Sequence, residues 1–399
     1  MIFRTAILVL LTAALLPAAA QEASIDELVA RAKKRDAEAE YALALRAYEG
    51  RGVPRDAGQA LRLMERAAQR GHLEAQNAFG FFLQHGVGAA ADPARAREWY
   101  ETAAARGLAR AQVNLGWMHE QGLGTERAPA LALEWYRKAA AQGLAEGEYN
   151  AANLLESGAG APPDYAAAAA AYERAIREKF PPADYRLGQL LEQRRVDAAP
   201  YGSALAHYQA AAHAGLADAQ FAAARLLLTA GGTANTREAI DWLQQAARQA
   251  HAPAKTMLAD PASQYRIALG LVAGPAGAAG STDAAQALEW LRRAAGQGHR
   301  EAQLRLAIAL EEGLGTAPDP EQAASWYAKA ADSGNAEALY RLALLYDDGV
   351  GVTRDTVKAR NLLGQATELG HAGAKERLTR LLGPRLPQLD GGELFRGMR

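Results

Sequence analysis

Four histidines, His72, His251, His299 and His371, recur at one place in a repeating pattern, and histidine is the side chain most often found holding metals or moving protons. Their recurrence argues against shared chemistry, because each belongs to a different unit and the units hold them apart. The acid pairs Glu311-Glu312 and Asp347-Asp348 are adjacent in sequence at helix ends. Adjacent helical residues do not face each other, so neither pair suits a general acid and base. Gly274–Thr282 superficially suggests a phosphate loop, but no lysine precedes its hydroxyl residues. Ser-x-x-Lys, Gly-x-Ser-x-Gly and His-Glu-x-x-His do not occur. The chain has no cysteine, which removes thiol nucleophiles, thiolate metal sites and disulfides together. Trp117, Met118 and His119 cluster on one helix and read as core. No catalytic, cofactor-binding or metal-binding residue is expected, and the chain reads as a non-enzyme.

The elements that would position any site belong to one unit, clearest at Leu108–Gly143, with two short amphipathic helices joined by a Gly-rich turn. The closing glycines Gly71, Gly107 and Gly143 are spaced by 36 residues, as are Gly50, Gly86, Gly122 and Gly158 within the units. Gly334 and Gly370 keep the same step. A fixed period of this size predicts an all-α solenoid, a right-handed α/α superhelix of about nine helix pairs. Each second helix keeps alanine three residues before and four after a central position, which is Leu63, Trp99, Trp135, Ala171, His207, Trp242, Trp290, Trp326 and Leu362 in turn. Small residues let helices approach closely, and the large central ring is expected to interlock with them. Pairs such as Phe79-Gly80, Leu115-Gly116 and Leu187-Gly188 mark the matching crossing point on the first helices. The recurrent Gly-x-Gly between helices reads as a C-cap and turn.

The predicted boundaries follow. Residues 1–20 read as a cleavable signal peptide: Arg4, the apolar run Ala6–Leu16, and Ala18-Ala19-Ala20 before Gln21. Gln21 in place of cysteine argues against a lipoprotein, and loss of Arg4 takes the formal charge from −1 to −2. Residues 21–35 read as a lead-in helix capped by Ser24, and 36–250 as repeats one to six. Unit four closes on Lys179 and unit six on Ala250 where other units have glycine. The next closing glycine is Gly298, a step of 48, so 251–281 reads as an irregular insertion with a hinge at 270–281. The first helix of repeat seven is expected within 262–271, the rest of repeats seven to nine at 282–370, a capping helix at 371–382 and a flexible tail at 383–399.

Two positions of the first helices, three residues apart, escape the apolar rule. They place Asn114, Trp117, Asn150, Asn153, Arg186 and Gln189 in units three to five. Residues three apart share a helix face, so these six are the candidate partner-binding groove. Their amides would clamp an extended peptide backbone or the hydroxyls of a glycan.

The pattern A-x(2)-W-Y-x-K-A-A-x(2)-G, followed by A-Q-x(2)-L-G and G-x-G, resembles the Sel-one-like repeat family, an α/α relative of the tetratricopeptide repeat. Trp135–Ala140 and Trp326–Ala331 fit it closely, and residues 36–382 carry the resemblance. In such stacks the first helices line the concave surface. The resemblance implies an adaptor that assembles other proteins in bacterial envelopes, exopolysaccharide export or host interaction. Some cysteine-rich bacterial relatives are linked to β-lactam binding or hydrolysis, and this chain departs from them in having no cysteine.

A near-neutral chain lacks the basic excess that nucleic-acid binding needs. No other stretch is long and apolar enough to span a bilayer. The expectation is a periplasmic or secreted scaffold whose partners are other envelope proteins. The alternatives are a module that binds peptidoglycan or exopolysaccharide and, behind it, a β-lactam or cell-wall hydrolase.

Overall fold

A computed structural model describes residues 23–159, 161–273 and 281–382. The signal peptide expected at 1–20, the tail expected at 383–399 and most of the hinge expected at 270–281 lie outside the described residues. Within them every regular element is a helix. The chain divides into two units at Ala210. The first unit opens with α1 (Ile25–Lys33), whose Ser24 side chain accepts from the Glu27 N–H at 3.2 Å. Helix pairs follow: α2 (Ala37–Glu49) and α3 (Ala57–Gln69), α4 (Leu73–His85) and α5 (Pro93–Ala105), α6 (Ala109–Gln121) and α7 (Pro129–Ala140), then α8 (Ala145–Ser157) and α9 (Tyr165–Arg177). α10 (Pro181–Glu192) pairs with α11 (Ala204–His213), which contains the unit boundary.

The second unit holds α12 (Ala217–Ala230) with α13 (Thr233–Arg248), then α14 (Ala252–Ala259), then α15 (Pro261–Leu271) with α16 (Thr282–Gly296). α17 (Arg300–Glu312) with α18 (Pro320–Asp332), α19 (Ala336–Asp348) with α20 (Thr356–Glu368), and the last helix α21 (Ala372–Leu382) complete it. Residues 251–273 are thus more regular than the composition of the expected insertion suggests. Pro253 and Pro261 sit in the first turns of α14 and α15, where a missing N–H costs nothing and the fixed φ favours the helix.

Local chemistry sets the ends of these helices. Asp56, Asp92, Asp164, Asp319 and Asp355 cap the second helices, each accepting from the N–H three residues on at 2.8–3.1 Å. Gly50, Gly86, Gly122, Gly313 and Gly349 close first helices in the left-handed region. Lys179 and Ala250, standing where other units have glycine, adopt the same conformation, at φ 58° and 64°.

The flanking alanines of the second helices are buried, all but Ala204 essentially completely. The central residue between them is buried in some units, as Leu63, Ala171, Trp242 and Trp290 are, but in three others its ring is not the core residue. Trp99, Trp135 and Trp326 are only half-buried, and Lys138 and Lys329 cover the Trp135 and Trp326 rings at 3.8 Å. The fully buried side chain is the next one along: Tyr100, Tyr136, Tyr172, Tyr208 and Tyr327, with Met64, Leu243 and Leu363 in other units. A residue three before and four after one position is four before and three after the next, so the alanines fit either ring equally well. The tyrosine takes the inner place, where its hydroxyl finds a partner. A Cβ on Gly80, Gly116 or Gly188 would lie 2.8 Å from the ring of Tyr100, Tyr136 or Tyr208. The large-before-small pairs of the first helices do mark the crossing point, and tyrosine is what crosses there.

Candidate partner-binding face

Each buried tyrosine of the second helices spends its hydroxyl on the residue 16 positions earlier, near the end of the first helix of its own unit. Tyr100 donates to Gln84 at 2.9 Å, Tyr136 to Glu120 at 2.7 Å, Tyr172 to Glu156 at 2.6 Å and Tyr208 to Glu192 at 2.8 Å, and Tyr327 donates to Glu311. Burial pushes the hydroxyl pKa of Tyr100, Tyr136, Tyr172 and Tyr327 well up, so these phenols stay protonated and donate. In some units an arginine 30 residues after the carboxylate, on the first helix of the next unit, completes the rung. Arg186 Nη2 donates to Glu156 at 2.7 Å, Arg341 Nη1 to Glu311 at 3.2 Å and Arg377 Nε to Asp347 at 3.1 Å.

These rungs decide the fate of the six groove residues. Arg186 is bound to Glu156, and its Nη1 donates to Gln189 Oε1 at 2.9 Å. Gln189 Nε2 in turn donates to the Tyr185 hydroxyl at 3.0 Å. Asn153 Oδ1 also lies 2.6 Å from the Tyr172 hydroxyl, whose one proton it shares with Glu156. Asn153, Arg186 and Gln189 are therefore brought together, but as one internal network. Asn114 donates to Asn77 Oδ1 at 2.8 Å on the first helix of the preceding unit. Trp117 is half-buried and packs beside Tyr136, Ala151 and Leu154. Asn150 is half-buried, and its amide makes no hydrogen bond to another described residue. Of the six, Trp117, Asn150 and one side of Asn114 are thus the side-chain groups not drawn into that network. Glu120 and Tyr136 escaped the sequence reading, and the repeated 16-residue spacing from acid to tyrosine was the signal that would have found them.

The four recurrent histidines cap helices. Nδ1 of His72, His251, His299 and His371 accepts from the N–H three residues on at 3.0–3.2 Å. Nε2 faces a carboxylate of the preceding unit in three of them: Glu38 at 2.8 Å, Asp218 at 3.1 Å and Glu337 at 2.8 Å. In that geometry Nδ1 accepts and Nε2 donates. Each ring also lies against an aromatic one, as His371 does on Tyr340 with centroids 4.4 Å apart. Met118 is fully buried; His119 is nearly so, its Nδ1 has no partner, and burial holds its pKa below the ordinary imidazole value. Among the described residues no group of three His, Asp or Glu side chains is placed to hold a metal ion, and no helix is long and apolar enough to cross a membrane.

The Sel1 repeat profile matches nine times, at residues 37–72, 73–108, 109–144, 145–179, 181–216, 217–251, 261–299, 300–335 and 336–371. The chain belongs to the Sel1 repeat family. The Sel1 boundaries coincide with the helix pairs, and α14 falls between the sixth and seventh matches. Among solved structures, the chain is similar to a protective antigen of uropathogenic Escherichia coli with an SLR fold, at 27% identity over 91% of this chain and 83% of that one, with a TM-score of 0.35. It is similar to a Sel1 repeat protein from Oxalobacter formigenes at 26% identity over 90% of each chain, TM-score 0.35. An immunity protein from Pseudomonas aeruginosa is 22% identical over 52% of this chain and 75% of that one, TM-score 0.34. No curated protein matches the chain by sequence.

Proposed function

We propose that this Sel1 repeat chain is an exported, non-enzymatic adaptor that holds other proteins of a bacterial cell envelope along the face built by its first helices. Sel1 repeat proteins are typically protein–protein interaction scaffolds, and nine consecutive matches make this chain such a stack over most of its length. The observation that carries the reading is the uneven use of polar groups on the first helices. Asn153, Arg186 and Gln189 are consumed by the fold, whereas Asn150 and Trp117 keep groups a partner can use. The signal-like leader of residues 1–20 supports export. A half-exposed indole beside a free amide also suits a sugar ring, which keeps peptidoglycan or exopolysaccharide as the second reading.

Crosslinking of the tagged chain in its own cell envelope, followed by mass spectrometry, tests the proposal. Reproducible capture of one or two envelope proteins is the expected result, and recovery of wall material alone moves the function to glycan binding. Substituting Asn114 and Asn150 by alanine is expected to reduce that capture in a folded protein. Unchanged capture would remove these amides from the site.

A further inference from the structure

In the fourth and eighth Sel1 repeats, a carboxylate near the end of the first helix is held by two donors. At Glu156 they are the Tyr172 hydroxyl of the same repeat and the Arg186 guanidinium of the next. At Glu311 they are Tyr327 and Arg341. The ninth repeat keeps the arginine alone, with Arg377 on Asp347. The third repeat has the first half of this arrangement: Tyr136 donates to Glu120 Oε2 at 2.7 Å. Thirty residues after Glu120, where Arg186 stands relative to Glu156, the chain has Asn150. Glu120 has no ion-pair partner among the described residues. The nearby Arg127 spends its Nε on the Glu120 backbone carbonyl instead, at 3.0 Å.

The third repeat therefore holds a carboxylate in the orientation that receives a guanidinium elsewhere in this chain, with the guanidinium missing. The location is open to a partner, because the occupied rung at Glu156 leaves a third of the Arg186 side chain exposed, and Glu120 and Asn150 are themselves only half-buried. Trp117 precedes Glu120 by three residues and so shares its helix face, offering an indole to a planar cation. Asn150 carries an unused amide carbonyl, a further acceptor for the guanidinium fork.

We infer that the third repeat binds an arginine side chain of a protein partner, with Glu120 as its counter-ion, Asn150 as second acceptor and Trp117 as stacking surface. This deepens the adaptor reading, on which the origin of that arginine rests; the site itself is tested without a partner. The full chain, labelled with 5-fluorotryptophan, is titrated with N-acetyl-arginine methylamide and followed by fluorine NMR, the Trp117 signal being assigned by Trp117→Phe. Saturable movement of that signal at millimolar ligand is expected, with none from the neutral citrulline analogue. Glu120→Gln is expected to weaken binding about tenfold or more, since the charged half of the contact is gone. Asn150→Arg is expected to abolish binding by filling the site from within while leaving the fold intact, which keeps the test decisive if Glu120→Gln folds poorly. Equal response to citrulline or to the lysine amide, persistence in Asn150→Arg, or no movement at Trp117 would each overturn the assignment. Those failures leave the crosslinking outcome untouched, and an empty crosslinking result leaves arginine binding untouched.

Discussion

Gly124 stands against the Pro93 carbonyl so closely that a Cβ there would lie 2.5 Å from the oxygen. The second glycine of three other Gly-x-Gly turns plays this part, with Gly88 on Ala57, Gly315 on Ala284 and Gly351 on Pro320. In each case the turn of one repeat is keyed into the start of the second helix of the repeat before. Gly124→Ala combines a left-handed φ of 64° with a clash against backbone, which has no rotamer to escape into. We expect a loss of about 2–4 kcal/mol in urea unfolding. Gly143→Ala, with φ 80° and nothing within 4 Å of its Cβ, is expected to cost only about 1 kcal/mol. Equal losses would mean that the contact between repeats adds nothing beyond backbone conformation.

Lys179 and Ala250 hold left-handed backbone at the closing positions of the fourth and sixth repeats. Their side chains oppose that conformation by about 1 kcal/mol, part of which a glycine returns as extra freedom of the unfolded chain. Lys179→Gly and Ala250→Gly are each expected to stabilise by roughly 0.5 kcal/mol, read as a higher urea midpoint at unchanged m. A lower midpoint for both would show that the side chains make contacts worth more than the strain.

These closing positions also show what the sequence can and cannot convey. The 36-residue step and the turn glycines are local signals repeated many times, so the helix pairs and the odd residues at 179 and 250 were visible in the letters alone. The inner ring was not, because alanines flanking Trp135 flank Tyr136 just as well by helical geometry. Nor was α14 visible in the insertion, because Pro253 and Pro261 read locally as turn residues, although the first turn of a helix accepts proline readily. The groove was harder still. Whether Asn153 and Arg186 face solvent or serve the fold depends on Tyr172 and Glu156, and Glu156 lies 30 residues from its arginine. Variation at a repeat position marks departure from the apolar core without saying which neighbour has claimed the side chain.

His207 gives the chain a pH-dependent contact. Its Nδ1 faces Asp184 Oδ1 at 2.9 Å and its Nε2 the Tyr201 carbonyl at 2.8 Å, so both nitrogens must donate. Burial pulls its pKa down, but the Asp184 hydrogen bond, the Tyr201 carbonyl and the charges of Asp184 and Glu173 outweigh that, and the net shift is upward. A folded pKa above the unfolded one means the contribution is complete below about pH 6.5 and fades as pH rises through the folded value. The stability difference between the native chain and His207→Gln is therefore expected to be larger at pH 6 than at pH 9. A difference that is constant, or larger at pH 9, would rule out the doubly protonated ring.

Arg186 and Asn150 occupy the same repeat position and are expected to separate fold from function. Removing the Arg186 guanidinium leaves Glu156 with Tyr172 as its remaining donor and frees Gln189 Oε1. Since Arg186 keeps a third of its side chain in solvent, screening limits the loss, and Arg186→Met is expected to cost about 1 kcal/mol. Asn150→Ala breaks no hydrogen bond to a described residue and is expected to change stability by less than about 0.5 kcal/mol. The order reverses in partner capture, where Asn150→Ala is expected to weaken retention and Arg186→Met, once folded, to leave it largely intact. Chemical denaturation and crosslinking of the same two variants check both halves. If Arg186→Met keeps full stability but loses capture, the arginine belongs to the binding face, and the division between internal network and open acceptor drawn from Glu156 and Glu120 fails.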